Sequence, residues 1–213
     1  MITADSILGD VLLDEPTLIP VINRFGITLG VSDHTVAQAC DSHGLDTDFL
    51  LLILNTYSSR DYFPERRLNA VQRPTLVKYF TDTYNYYLTL QLPNIERHFQ
   101  ALVRASGPDN NLSIIHRMLE LFNVALHRRV SDDTTTLFPA FLGTTPAEAA
   151  TVADPADEPA DLLDDFLSMM VKHLTGKYDT NLGYAVISAA ASLSADLSKN
   201  DRLRRLILLK HLA

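Results

Sequence analysis

Apolar residues recur at three- and four-residue spacing through the second half of the chain, and this spacing constrains the fold more than any other feature. At about 100° per residue, they collect on one face of the segment 112–130. The residues on that face are Ile115, Met118, Leu119, Phe122, Ala125 and Leu126. Alternating apolar and polar residues do not form a run long enough to predict a strand. The sequence therefore predicts an all-α fold.

Helix start and stop signals predict four short helices in residues 1–58. Ser32 or Asp33 is expected to cap the third helix, and Asp46 the fourth, because their side-chain oxygens can accept a hydrogen bond from an open backbone N–H. The segment 49–57 is apolar on most sides and needs cover from its neighbours. We predict that residues 1–58 form a small N-terminal helical domain.

A polar connection over residues 59–73 precedes a region of longer helices, residues 74–213. The first of these helices is predicted over 74–106, with a kink possible at Pro93. Proline, alanine and acidic residues dominate the segment 143–161, which predicts a flexible loop. Further helical patterning covers 112–130, 162–175, 182–197 and 202–212.

Charge and cysteine content disfavour several functional classes. The 213-residue chain has a formal net charge of −8, whereas phosphate backbones are bound mainly by clustered Lys and Arg. Its longest apolar run, residues 49–54, is far shorter than the roughly 20 residues of a membrane span, and its N-terminus lacks a signal-like segment. We therefore expect a cytoplasmic protein that binds neither nucleic acid nor membranes. Cys40 is the single cysteine, so no internal disulfide can form, and we expect it to be a buried structural thiol.

Two passages of the sequence follow patterns shared with a known protein family. They are Val-Ile-Asn-Arg-Phe-Gly-Ile-Thr-Leu-Gly at 21–30, continuing to Cys40 and to Gly-Leu-Asp at 44–46, and the segments 86–88, 92–93 and 136–139. These passages resemble the RIC family, di-iron proteins associated with the repair of iron–sulfur clusters. The resemblance covers most of the chain and implies a small N-terminal domain followed by a hemerythrin-like four-helix bundle. It also implies a cysteine pair where this chain has Gly30 and Val31.

At the positions where the resemblance implies iron ligands, this chain carries other residues. They are Tyr84 or Asn85 in the first long helix, Ser106 at its end, Arg129 with Asp133, and Asn200 with Arg204. A further family histidine falls near Met170 or His173. Iron needs lone pairs from imidazole or carboxylate groups, whereas a guanidinium has only donors and stays protonated. We therefore expect no metal and no cofactor, with a di-iron centre as the alternative.

Helical phase places several of these polar residues on apolar faces. Arg129 falls near the middle of the apolar face of 112–130, and Asp133 lies beside it if the helix continues. Asn200 and Arg204 share a face with Leu193, Leu197, Leu203 and Ile207, and Ser106 shares one with Leu88, Ile95, Phe99 and Leu102. A buried charge needs a partner, so Arg129 or Arg204 is hypothesised to pair with Asp133. The alternative is that both arginines reach solvent along their aliphatic stems.

These observations favour a non-catalytic protein with a degenerate RIC-like architecture, acting as a regulator, adaptor or subunit. Its partner would be an unidentified protein or small molecule, oligomerisation is possible, and no catalytic residues are assigned. One alternative is an iron-dependent repair protein, or one that responds to oxygen or nitric oxide, whose rearranged site recruits residues such as Asp133, Glu120, Glu96 or His173. Another alternative is a sensor that holds a small organic molecule in the bundle interior.

Overall fold

A computed structural model of the chain describes residues 1–59, 61–145 and 158–210. Every extended regular element within these ranges is helical, which confirms the all-α prediction. The chain divides into two compact units, residues 1–83 (unit 1) and 84–213 (unit 2). No helix of the described ranges combines the length and apolar character needed to cross a bilayer.

Unit 1 is built from short helices. They are α1 (Leu8–Asp14), a 3₁₀ turn (Pro16–Leu18), α2 (Ile19–Arg24), α3 (Val36–His43), α4 (Thr47–Ser58) and α5 (Glu65–Ala70), followed by α6 (Arg73–Tyr86), within which the division into units falls. Helix α5 lies within the predicted polar connection 59–73. The interior is filled by residues such as Leu8, Ile22, Leu50 and Ile53, each fully buried.

The helix caps of unit 1 agree with the sequence at one site and differ at another. Asp46 caps α4 and accepts a hydrogen bond from the Phe49 N–H at 2.9 Å, as predicted. The prediction of Ser32 or Asp33 as the cap of α3 is wrong, because Thr35 occupies that position. Thr35 forms a reciprocal capping box with Gln38, which satisfies two backbone donors.

Cys40 is fully buried and unoxidised, as expected. Burial is the largest cause of the raised pKa of its thiol. The neutral thiol is a poor nucleophile and a poor metal ligand, so the structure fits the structural role predicted for this residue.

Unit 2 is built from longer helices separated by π-helical turns. After α6 come a first π turn (Tyr87–Gln91), α7 (Leu92–Ala105), α8 (Leu112–Asp132), a second π turn (Asp133–Leu137), α9 (Phe138–Leu142), α10 (Pro159–Lys172), α11 (Thr180–Leu203) and a third π turn (Arg204–Leu209). Helix α10 begins at Pro159, so the loop predicted over 143–161 is wrong for its last residues, because proline is well suited to a first helical turn. The loop's central residues, 146–157, lie outside the described part of the chain.

The four long helices of unit 2 contact one another in a ring: α7 packs on α8, α8 on α10, α10 on α11, and α11 on α7. Each helix contributes buried apolar residues to the interior of this ring. They include Ile95, Phe99 and Leu102 from α7, Ile115, Leu119, Phe122 and Leu126 from α8, Leu163, Phe166 and Met170 from α10, and Val186, Ala190, Leu193 and Leu197 from α11. The apolar faces predicted for 112–130 and for the last helix are confirmed as buried faces.

Two of the three π turns in the described residues end two residues before a proline. The Leu92 N–H donates to the Tyr87 carbonyl just before Pro93, and the Phe138 N–H donates to the Asp133 carbonyl just before Pro139. A proline ring clashes with the carbonyl four residues earlier in a regular α-helix and has no N–H to donate. The wider π turn removes that conflict while keeping the chain helical, and such turns are frequent at functional sites.

Candidate functional site

Unit 2 contains a cluster of charged side chains that are almost completely removed from solvent. Arg129 is 7% exposed, Asp133 1%, Asp201 6% and Arg204 6%. A charge leaves water at a cost of several kcal/mol unless other groups of the protein pair with it. The arrangement of these side chains is therefore tightly constrained by their mutual contacts, and we refer to them, with Tyr84 and Glu158, as the ion-pair cluster.

Arg204 and Asp133 form a two-point ion pair at the centre of this cluster. The Arg204 Nε donates to Asp133 Oδ2 at 2.6 Å, and a terminal guanidinium nitrogen donates to Oδ1 at 2.5 Å. The Tyr84 hydroxyl donates a further hydrogen bond to Oδ2. The planar guanidinium matches the carboxylate in both geometry and charge, so both oxygens of Asp133 are occupied.

Arg129 makes a second set of ion pairs beside the first. One terminal nitrogen donates to Asp201 Oδ1 at 2.9 Å, and the other donates to Glu158 Oε2. Glu158 stands at the N-terminal boundary of α10, Asp201 lies near the end of α11 and Arg129 near the end of α8. The second set therefore joins three helix ends, whereas the first joins the end of α6 to two π turns.

Burial and neighbouring charges act on these groups in opposite directions. Burial, the largest influence, lowers the pKa of Arg204, but Asp133 outweighs it and the net shift is upward. Burial also lowers the pKa of Arg129, where Asp201 and Glu158 reverse the sign. Both guanidinium groups therefore stay charged.

Tyr84 and Asp201 lose protons less readily than usual. Burial, and then the charge of Asp133, raises the pKa of Tyr84 well above its ordinary value, so this hydroxyl remains a donor. Burial raises the pKa of Asp201, and the attraction of Arg129 does not fully offset that rise. An ion pair is expected to lower the pKa of its carboxyl group, but the pKa of Asp201 is raised because burial has the larger effect.

The remaining positions that the resemblance assigns to iron lie in different surroundings. Asn85 is exposed. Ser106 is half-buried at the end of α7, donates to the Leu102 carbonyl at 2.7 Å and accepts from the Asp179 N–H at 3.4 Å. Met170 is buried, whereas His173 is exposed at the end of α10. The structure therefore joins Tyr84 directly to the ion-pair cluster but does not join Asn85, Ser106 or His173 to it.

Among the positions that the resemblance assigns to iron, Asn200 differs in having a buried side-chain amide without hydrogen bonds to the described residues. It is 0% exposed, and neither its side-chain oxygen nor its side-chain nitrogen has a hydrogen-bond partner within the described residues. It lies one helical turn before Arg204, whose backbone N–H donates to the Asn200 carbonyl. A buried amide without partners is costly and commonly marks the place of a water molecule or ligand.

The pairing hypothesis is confirmed for Arg204 and wrong for Arg129. Arg129 lies on the side of α8 that faces α10 and α11. It pairs there with Glu158 and Asp201 instead of with Asp133. The alternative that both arginines reach solvent is wrong, since each is at least nine-tenths buried. Sequence reasoning missed Asp201 and Glu158 as partners, although Asp201 follows the buried Leu197 by four residues and so had the spacing of a core position.

The residues at the expected ligand positions do not fit a di-iron centre. Arg129 and Arg204 offer only donors, and the lone pairs of Asp133 face Arg204 and Tyr84. Across residues 1–59, 61–145 and 158–210, no group of three or more His, Cys, Asp or Glu side chains is arranged to hold a metal ion. Glu96 and Glu120, which the rearranged-site alternative names, each lie 3.5 Å from His116 at the surface of α7 and α8.

Searches of protein-family models, curated proteins and solved structures found no match to this chain.

Proposed function

We propose that this chain is a degenerate RIC-like protein that acts by binding, as a regulatory or interaction protein, and that its hemerythrin-like four-helix bundle has exchanged metal chemistry for internal ion pairs. The observation that carries the proposal is the buried pair of Arg204 with Asp133, to which Tyr84 also donates. Three of the positions that the resemblance assigns to iron are in this way bonded to one another.

The chemistry of the pair supports a binding role over a redox role. A ligand set that had merely been lost would leave polar groups facing an apolar interior at a large cost in stability. In this cluster a guanidinium instead supplies the positive charge that the carboxylate needs, with two hydrogen bonds of good geometry. At this point the charge of Asp133 is balanced by Arg204, so no added cation is needed. We therefore infer that the outer surface of the bundle carries the function.

The proposal is tested by measuring iron in the purified chain and after anaerobic reconstitution with ferrous iron. We expect substoichiometric iron by elemental analysis, no oxo-bridged di-iron absorbance, and no oxygen consumption above that of free iron. The variant Asp133→Asn serves as the matched control, because it removes the one carboxylate at the expected ligand positions. A pair of iron atoms bound at full occupancy in the wild type and lost in Asp133→Asn would refute the proposal.

Asn200 favours a second candidate function, a small-molecule sensor that uses the bundle interior. Its fully buried amide offers one oxygen acceptor and two N–H donors with no protein partner within the described residues. A small polar ligand would recover the free energy that this amide loses on burial.

This second function predicts that a metabolite raises the melting temperature of the wild type but not that of Asn200→Leu. If instead Asn200→Leu is more stable than the wild type and no compound in the panel shifts either protein, the amide is a structural defect and the sensor function is wrong.

A further inference from the structure

Helix α8 carries large apolar side chains on its outer side as well as on its buried side. Ile114 is 58% exposed, Leu121 54% and Val124 67%. Met118, which is half-buried, lies between Ile114 and Leu121 on the same side of the helix. The outer side of a bundle helix is normally polar, and a contiguous exposed apolar patch marks an interaction surface. The described part of the chain leaves this patch uncovered.

Helix α10 lies beside α8 and runs in the opposite direction. Asn111, at the N-terminal boundary of α8, donates a hydrogen bond to the carbonyl of His173, at the C-terminal boundary of α10. The start of one helix is therefore next to the end of the other. Arg117 follows Asn111 by six residues and Asp165 precedes His173 by eight, so these two charged residues lie at a similar level along the bundle.

Helical phase shows which side of each helix these residues occupy. His116 marks the side of α8 that meets α7, and Leu121 lies across the helix from it, on the side toward α10. Asp164 accepts a hydrogen bond from α11, and the exposed Asp165 lies about 100° farther round, on the outer side of α10 nearer α8. We define the α8–α10 face as Ile114, Arg117, Leu121 and Val124 of α8 with Asp165 and Met169 of α10.

The α8–α10 face carries one charge of each sign that the described residues do not match. Arg117 and Asp165 are both exposed, and neither forms an ion pair or a side-chain hydrogen bond with another described residue. Arg128 and Asp132, which also lie on the outer side of α8, pair with each other at 3.9 Å. An acidic partner would match Arg117 but would be repelled by Asp165, and a basic partner would have the opposite fault. A second copy of the same face matches both charges.

We propose that two copies of this chain associate through the α8–α10 face. A two-fold axis parallel to the helices places α8 of each copy against α10 of the other, with Leu121 and its apolar neighbours at the centre. Arg117 of each copy then meets Asp165 of the other, so the same ion pair forms twice. Such a self-complementary contact closes at the dimer, and it has the apolar core and polar rim of a protein interface. This inference goes beyond the proposed function, because it does not depend on whether the bundle interior binds iron.

The first test measures the association of the full chain by sedimentation equilibrium. We expect a monomer–dimer equilibrium with a dissociation constant of about 10 µM or tighter, as for an interface of modest size. Leu121→Glu is expected to weaken dimerisation at least about tenfold, because it places a charge in the apolar centre of the contact. Leu90→Glu is the matched control, because Leu90 is a leucine of similar exposure, 58%, in the first π turn. It is expected to leave the dissociation constant unchanged.

A charge-swap experiment tests the pairing of Arg117 with Asp165 across the two-fold axis. Arg117→Glu and Asp165→Lys each bring like charges together twice, and each is expected to weaken dimerisation about fivefold or more. An equimolar mixture of these two variants is expected to regain the wild-type affinity, because both ion pairs form again, with reversed sign in one of them. Arg104→Glu changes the net charge equally at an exposed position of α7 and is expected to have no effect.

Circular dichroism melting establishes that each variant is folded, and the charge-swap mixture decides the question if Leu121→Glu unfolds. A chain that stays monomeric at every concentration would overturn the proposal. So would a dimer that Leu121→Glu leaves unchanged, or a mixture of Arg117→Glu and Asp165→Lys that associates no more tightly than either variant alone. None of these results changes the iron measurement that tests the proposed function.

Discussion

The buried pair of Arg204 and Asp133 makes a quantitative prediction about stability. Asp133→Asn and Arg204→Met each remove one charge while keeping most of the side-chain volume. Either change alone leaves an uncompensated partner in a site that is at most 6% exposed, and breaking a buried pair in this way costs about 3–5 kcal/mol. The double variant leaves no charge behind at this pair. We therefore expect it to lose less than the sum of the two single losses, by about 1–3 kcal/mol.

The assay is urea unfolding of the wild type, both single variants and the double variant, followed by circular dichroism, with the slopes compared to check that the same transition is measured. Arg128 and Asp132 provide a control on the same helix, because they are an Arg–Asp pair at 3.9 Å with each side chain 54% exposed. The same double-variant analysis of that surface pair is expected to give only about 0.3–0.5 kcal/mol. Additive losses at Arg204 and Asp133, within the error of the control, would refute the claim that the pair is formed in solution.

Three further predictions follow from the titrating groups and the backbone. Because burial raises the pKa of Asp201, its contribution to stability is full below the unfolded carboxyl pKa of about 3.9 and is lost as pH rises through the raised value. Urea unfolding should therefore show the wild type losing stability relative to Asp201→Asn over that range, and a relative gain would contradict the reasoning. Because the pKa of Tyr84 lies well above its usual value, Tyr84→Phe should leave the phenolate absorbance near pH 10 unchanged, and a lower absorbance would show that Tyr84 ionises normally. Gly176 has a φ of +85°, and an added Cβ would lie 1.7 Å from the Asp109 carbonyl oxygen. Gly176→Ala should therefore lower the melting temperature strongly, whereas Gly107→Ala, whose Cβ would have no neighbour within 4 Å, should change it little.

The faces of the helices could be predicted from sequence because they depend on local periodicity. A uniform advance of about 100° per residue correctly places Phe122, Leu126 and Arg129 on one buried side of α8. Asp46 could be predicted as a cap for a similar reason, since the acceptor and the donor it serves lie three residues apart. These interactions lie within one helix, where the regular geometry sets the distance between two residues from their separation in sequence.

The partners within the ion-pair cluster could not be predicted because they depend on how separate helices are rotated and offset. Arg129 and Asp201 are 72 residues apart in sequence, and nothing in either helix alone determines that they meet. The π turns add a second difficulty. Asp133 and Arg204 each begin a π turn, where the wider turn changes the angular advance that a uniform α-helical pattern assumes.

The geometry of the ion-pair cluster indicates that it fixes the relative positions of helix ends more than it stabilises the fold. Well-packed apolar residues of similar volume often match or exceed the stability of a buried ion pair, because the charges must first leave water. They cannot, however, reproduce the directional requirement of a planar fork that meets both oxygens of one carboxylate. Tyr84, Asp133 and Arg204 come from three separate segments. A small shift of Tyr84 or Arg204 breaks its bond to Asp133, and a shift of Asp133 breaks both. The cluster therefore opposes sliding and rotation of these helix ends.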